Sequence, residues 1–96
     1  MRNEISNYIF SVSPEATSSA HDDGIVILHT GKGRVFSSNQ TGTVIWQAIE
    51  QRRSLDSIVE EISKQFQIAA TTARAHTLKF LAALEQQALI RREVAS

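Results

Sequence analysis

The chain has 96 residues, 42% of them hydrophobic by type, with ten basic and ten acidic side chains and no cysteine. That length and composition suit one domain with a modest core. Disulfides, thiolate catalysis and thiolate metal sites are excluded, and a formal charge of zero supplies no field to steer the chain toward phosphate-rich partners.

Tyr8, Phe10 and Val12 alternate with Ile9, Ser11 and Ser13, a short candidate strand. Residues 11 to 23 are small and polar and include Pro14, which predicts a loop or mobile connector. Residues 1–20 are therefore expected to form an N-terminal strand and flexible connector, with the domain proper over 21–96. The N-terminal Met1 to Ile5 holds no apolar stretch of signal-peptide length. Apolar runs such as Ile25 to Leu28 are far below the roughly 20 residues a membrane span needs. A cytoplasmic chain without membrane contact is expected.

From Gly24 the pattern sharpens. Ile25-Val26-Ile27-Leu28 is a β-branched run of strand length. The glycines of Thr30-Gly31-Lys32-Gly33 permit the positive φ of a tight turn, and Arg34 to Ser37 follows as a second, half-polar strand. Asn39 can cap a first helix carrying Val44, Ile45, Ala48 and Ile49 at helical spacing. Ser54 can cap a second, with Leu55, Ile58, Val59, Ile62 and Phe66 on one stripe. Thr71 or Thr72 can cap a third that runs to about Gln87, and Leu89-Ile90 forms a short apolar tail. A hairpin and three helices, the last two joined by a short turn near Gln67 to Ala70, match an α+β domain of winged helix-turn-helix layout.

No catalytic constellation emerges. His21, His29 and His76 are scattered, and none has a metal partner at helical spacing, so surface positions and no metal or cofactor are expected. The Thr30 to Gly33 turn lacks the remaining residues of a phosphate loop. Nucleic acid is a second reading, because this layout often places its third helix in the major groove. That helix offers Arg74, His76 and Lys79 among Ala and Thr, enough to neutralise few phosphates, and no nucleic-acid partner is expected. A dimerisation module is a third reading, so the chain is expected as a monomer or dimer.

On a 100° wheel Ala73, Thr77, Phe80 and Leu84 form the core stripe of the third helix, flanked by Leu81 and Ala88. Leu78 lies well round from them beside Arg74 and Glu85. If Arg34 to Ser38 is an unpaired sheet edge, it can accept an extended peptide as an extra strand. Leu78, Leu81 and Val35 or Phe36 would then supply side-chain pockets, and Arg34 or Arg74 a partner for an acidic residue. The alternative is that Val35 or Phe36 is core and the N-terminal segment covers the edge. Periodicity does not choose between them.

The stretch Asp23 to Leu28, the stretch Gly33 to Trp46, the block Ser54 to Ile62, and Phe80-Leu81-Ala82-Ala83-Leu84 with Ala88-Leu89-Ile90 resemble the PqqD-like family. The similarity covers about residues 22 to 92, and its most specific part is Asn39-x-x-Gly42-x-x-Ile45-Trp46. The resemblance implies a three-stranded sheet packed on three helices and a non-catalytic recognition element for ribosomally made, post-translationally modified peptides. It implies that the leader segment of a precursor peptide, here of a lasso-peptide pathway, is bound and delivered to a leader protease or other modifying enzyme. By position, Arg34, Val35, Phe36, Ser37 and Ser38 would be the peptide-pairing strand, and Arg74, Leu78 and Leu81 the groove side of the third helix. The chain departs from the family pattern at three positions. His76 stands where many members carry an acid, Thr77 where they carry an apolar residue, and Ala88 where they carry glycine. The Asn39-x-x-Gly42 block also has a structural meaning, a cap followed by a small residue where strand and helix approach closely.

Overall fold

In the computed structural model, which describes residues 8–94, five strands and three helices occur in the order β1 (Tyr8–Val12), β2 (Ala16–His21), β3 (Gly24–His29), β4 (Arg34–Ser38), α1 (Gln40–Glu50), α2 (Leu55–Phe66), α3 (Ala70–Gln86) and β5 (Ile90–Val94). The α+β class and the three-helix layout are as the sequence implies. Strands β2, β3 and β4 form an antiparallel sheet in that order, and β1 pairs separately with β5. Residues 1–7 of the expected N-terminal segment lie outside the described residues.

The expected connector is instead largely strand. Residues Ala16 to His21 pair with β3 from Ala16↔His29 to His21↔Gly24. All of β2 beyond Ala16 is exposed, so its Thr-Ser-Ser stretch carries no apolar alternation and is held by ladder hydrogen bonds. The apolar tail is likewise a strand, with Val12 opposite Ile90 and Tyr8 opposite Val94. A boundary near residue 20 thus falls inside β2, and both β1 and β2 are integrated with the rest of the domain.

Each helix is punctuated by local chemistry. The Asn39 side chain accepts the Gly42 N–H at 3.1 Å, and the Ser54 hydroxyl accepts the Ser57 N–H at 3.3 Å. α2 ends on Gln67 in the left-handed conformation (φ 55°), and the Ile68 N–H returns to the Ser63 carbonyl at 3.1 Å. That reversal lets α3 start at Ala70, earlier than expected, with Ala69 as an N-cap that has no side-chain bond. Thr71 and Thr72 therefore lie inside the first turn.

Alternation along β3 buries Ile25, Ile27 and His29 toward the helices and leaves Val26 and Leu28 on the outer face. His29, expected at the surface, is only 5% exposed. Its Nδ1 accepts the Lys32 N–H at 3.2 Å, so the ring closes the β3–β4 turn from within. Gly33 completes that turn at φ 64°. Below the sheet the core gathers Trp46, Ile45 and Ile49 of α1, Leu55, Ile58 and Ile62 of α2, and Leu81 and Leu84 of α3, with Phe10 from β1.

Candidate functional site

β4 is an edge strand. Its only strand neighbour among the described residues is β3, with Phe36 opposite Ile27 and Val35 opposite Leu28. The N-terminal segment does not cover it, since β1 pairs with β5 and β2 lies on the far side of β3.

Which backbone groups of β4 are free follows from two bonds. The Thr30 N–H donates to the Glu15 carbonyl at 2.9 Å, while the His29 carbonyl accepts from Gly33 N–H at 2.8 Å. In an antiparallel strand, successive residues aim their backbone groups alternately at the two neighbours. His29, Ile27 and Ile25 therefore point toward β4, and Arg34, Phe36 and Ser38 bond back to them. Val35 and Ser37 turn their N–H and C=O outward, as a template for another strand. Side-chain direction alternates too. Phe36 and Ser38 lean toward the helices, half-buried, while Val35 is 69% exposed on the outer face beside Leu28.

Between the Ser38 end of this edge, the start of α1 and α3 lies a cleft of about 450 Å³. Ser38, Asn39, Thr41 and Gly42 form one wall, His76, Lys79, Phe80 and Ala83 the other, and Ile45 the floor. Three contacts set its width. The Phe36 and Phe80 rings meet with centroids 5.8 Å apart at 59°. The Arg34 guanidinium donates to the Gln87 side-chain oxygen at 3.1 Å. Gly42 has no side chain to hold the walls apart, since a Cβ there would sit 2.3 Å from Ser38 Oγ and 3.1 Å from Phe80 Cε1. The Asn39-x-x-Gly42 block does what its residues suggested, capping α1 and allowing close approach.

Of the residues singled out in the sequence, Arg34 to Ser38 form this edge, but Arg74, Leu78 and Leu81 do not line the cleft. The Arg74 guanidinium pairs with Asp56 of α2 at 2.6 Å, Leu81 is 2% exposed within the core, and Leu78 packs half-buried against that core. At 100° per residue, His76, Lys79, Phe80, Ala83 and Gln87 share one face of α3, and Arg74, Leu78 and Glu85 lie roughly opposite. The buried stripe of Ala73, Thr77 and Leu84 runs between the two faces. Phe80, expected in that stripe, is half-buried at the cleft, and Leu81 takes the core position. The signal that would have found the cleft face is the lone aromatic Phe80 with a small residue, Ala83, three positions on.

Residues 24–90 match the family model of Coenzyme PQQ synthesis protein D (PqqD). The chain belongs to the PqqD family. No curated protein sequence matches it. Among solved structures, it is similar to TbiB1 in complex with the TbiA(beta) leader peptide, at 27% identity and a TM-score of 0.78, covering 84% of this chain and 94% of that one. A lasso peptide synthetase B1 complexed with its leader peptide shares the fold at 20% identity and a TM-score of 0.77, covering 85% and 96%. So does the PqqD truncation of Methylobacterium extorquens PqqCD, a stand-alone recognition element for ribosomally synthesised and post-translationally modified peptides, at 15% identity and a TM-score of 0.72, covering 88% and 89%. The three-stranded sheet on three helices implied by the PqqD resemblance is thus the fold of this chain. No helix among its described residues is long and apolar enough to cross a membrane.

Proposed function

We propose that this PqqD-family chain binds the leader segment of a ribosomally made precursor peptide as a fourth strand along β4, and presents it to a modifying enzyme or leader protease of a lasso-peptide pathway. One observation carries the reading. The outward N–H and C=O groups of Val35 and Ser37 run up to Ser38, which lines a cleft walled by α3, so strand pairing and side-chain insertion are offered in sequence along one edge. The similarity to TbiB1, held with a leader peptide, supports it. Main-chain bonds supply generic affinity, and the cleft selects the side chains that point inward. The role needs no catalytic group. It raises the local concentration of precursor near the enzyme, in the cytoplasm where such precursors are made.

Arg34, Val35, Phe36, Ser37 and Ser38 carry the pairing in this reading. His76, Lys79, Phe80 and Ala83 take the place on α3 that the sequence suggested for Arg74, Leu78 and Leu81. The test is titration of fluorescein-labelled leader peptides of lasso-peptide precursors, read by anisotropy. Saturable binding is expected, and its absence would refute the reading. Ser37→Pro removes an outward N–H and no ladder bond, so it should keep the circular dichroism of the fold and abolish binding. Phe36→Pro removes a ladder bond and should cost on the order of 3 kcal/mol of stability.

A further inference from the structure

We infer that the cleft selects a peptide strand carrying an acidic side chain, Asp or Glu, with an apolar side chain two residues away on the same face. The inference rests on strand addition to β4 and adds the chemistry of the occupant.

Charge around the cleft is segregated. The chain is neutral overall, yet the ionisable residues lining this cleft are Lys79 and His76, and no carboxylate lines it. Two acids of the helices are engaged elsewhere. Glu85, on the opposite face of α3, accepts from Nε and Nη2 of Arg92 at 3.0 and 2.9 Å, and Asp56 pairs with Arg74. Among the described residues Lys79 has no ion-pair partner. A basic peptide residue entering here meets like charge with no carboxylate in the lining to offset it, and an acidic one meets an uncommitted ammonium.

Spacing fixes where the apolar neighbour falls. β4 and α3 run antiparallel across the cleft, because Arg34 reaches Gln87 near the end of α3 while Ser38 shares the cleft with His76. From Lys79 to Ala83 is one helical turn, about 6 Å of rise. Two residues of an added strand advance about 6.6 Å and return to the same face. A strand that sets its acid against Lys79 therefore sets residue i+2 or i−2 over Phe80 and Ala83, with Ile45 beneath. The selected pattern is acid-x-apolar or its reverse, according to the direction of the strand.

The test is selection of a displayed random dodecapeptide library on the full chain, on Lys79→Glu and on Ser37→Pro. Enrichment of Asp or Glu spaced by two from Leu, Ile, Val or Phe is expected on the native chain. On Lys79→Glu that position should turn to Lys or Arg, and a selected acidic peptide should bind it about tenfold more weakly, with a shallower salt dependence. Enriched peptides with neutral or basic residues at that position would overturn the charge preference and leave strand addition standing. Enrichment no greater than on Ser37→Pro would overturn strand addition itself, and this inference with it.

Discussion

Phe36 on β4 and Phe80 on α3 meet with ring centroids 5.8 Å apart and planes inclined at 59°, and this contact joins the free sheet edge to the helix that faces it. Both rings are half-buried and packed against the core, and Phe80 also lines the cleft. A pair so placed contributes to stability and to the shape of the recognition surface together.

Replacing Phe80 by Ala should therefore act twice. Urea denaturation should show a loss of roughly 2 kcal/mol, less than the 3–5 kcal/mol typical of a fully buried Phe. Leader binding, measured where the variant is still folded, should weaken as well. Leu78→Ala is the counterpart on the other side of α3. It should lower stability by a similar amount and leave affinity unchanged, because Leu78 packs away from the cleft.

Gly42→Ala should destabilise, against the usual trend. A glycine-to-alanine change inside a helix normally gains about 1 kcal/mol. Here the new Cβ would lie 2.6 Å from Ser38 Cβ and 3.1 Å from the Phe80 ring, and overpacking costs roughly 1–3 kcal/mol. Chemical denaturation of Gly42→Ala, Ser38→Gly and the double variant should show favourable coupling, because removing the Ser38 side chain makes the room. Additive losses would place the strain elsewhere.

Ala88 is held at φ 60° between α3 and β5, where the Leu89 N–H turns back to the Leu84 carbonyl at 3.0 Å. An L-residue with a Cβ is disfavoured there and glycine is not. Ala88→Gly should raise stability by about 0.5–1 kcal/mol, and Ala88→Val should lower it, both read as shifts in denaturation midpoint.

The β1–β5 pairing should loosen in acid. Glu93 is held below its ordinary pKa of 4.5, chiefly by the hydrogen bond from Arg52 and then by that from Ser11, at 2.9 and 3.0 Å. A carboxylate whose pKa is lower folded than unfolded adds stability above the unfolded value, and that contribution is lost as pH falls through the folded one. The stability difference between the native chain and Glu93→Gln should be constant near neutral pH and shrink below about pH 4.5. A gap that persists at acid pH would assign it to packing.

Much of this protein is decided by local rules that the sequence displays on its own. Asn39 and Ser54 cap their helices through their own side chains. The Ile25 to Leu28 run and the Gly33 turn make the β3–β4 hairpin, and one apolar stripe buries α2. Together with the Asn39-x-x-Gly42-x-x-Ile45-Trp46 block these were enough for the fold and the family. Tertiary structure alone decided the rest, because each remaining feature depends on a partner in another element. β2 is a polar strand that exists through its ladder with β3, and β5 is strand because β1 lies beside it. His29 is buried because its strand faces the helices. On α3 the apolar residues spread toward α2, the core and the cleft, so its periodicity is weak and its rotation is undetermined by pattern. The burial of Ala73, Thr77, Leu81 and Leu84, with Arg74 on Asp56 to one side and Phe80 on Phe36 to the other, fixes that rotation, and with it which side chains border the open edge.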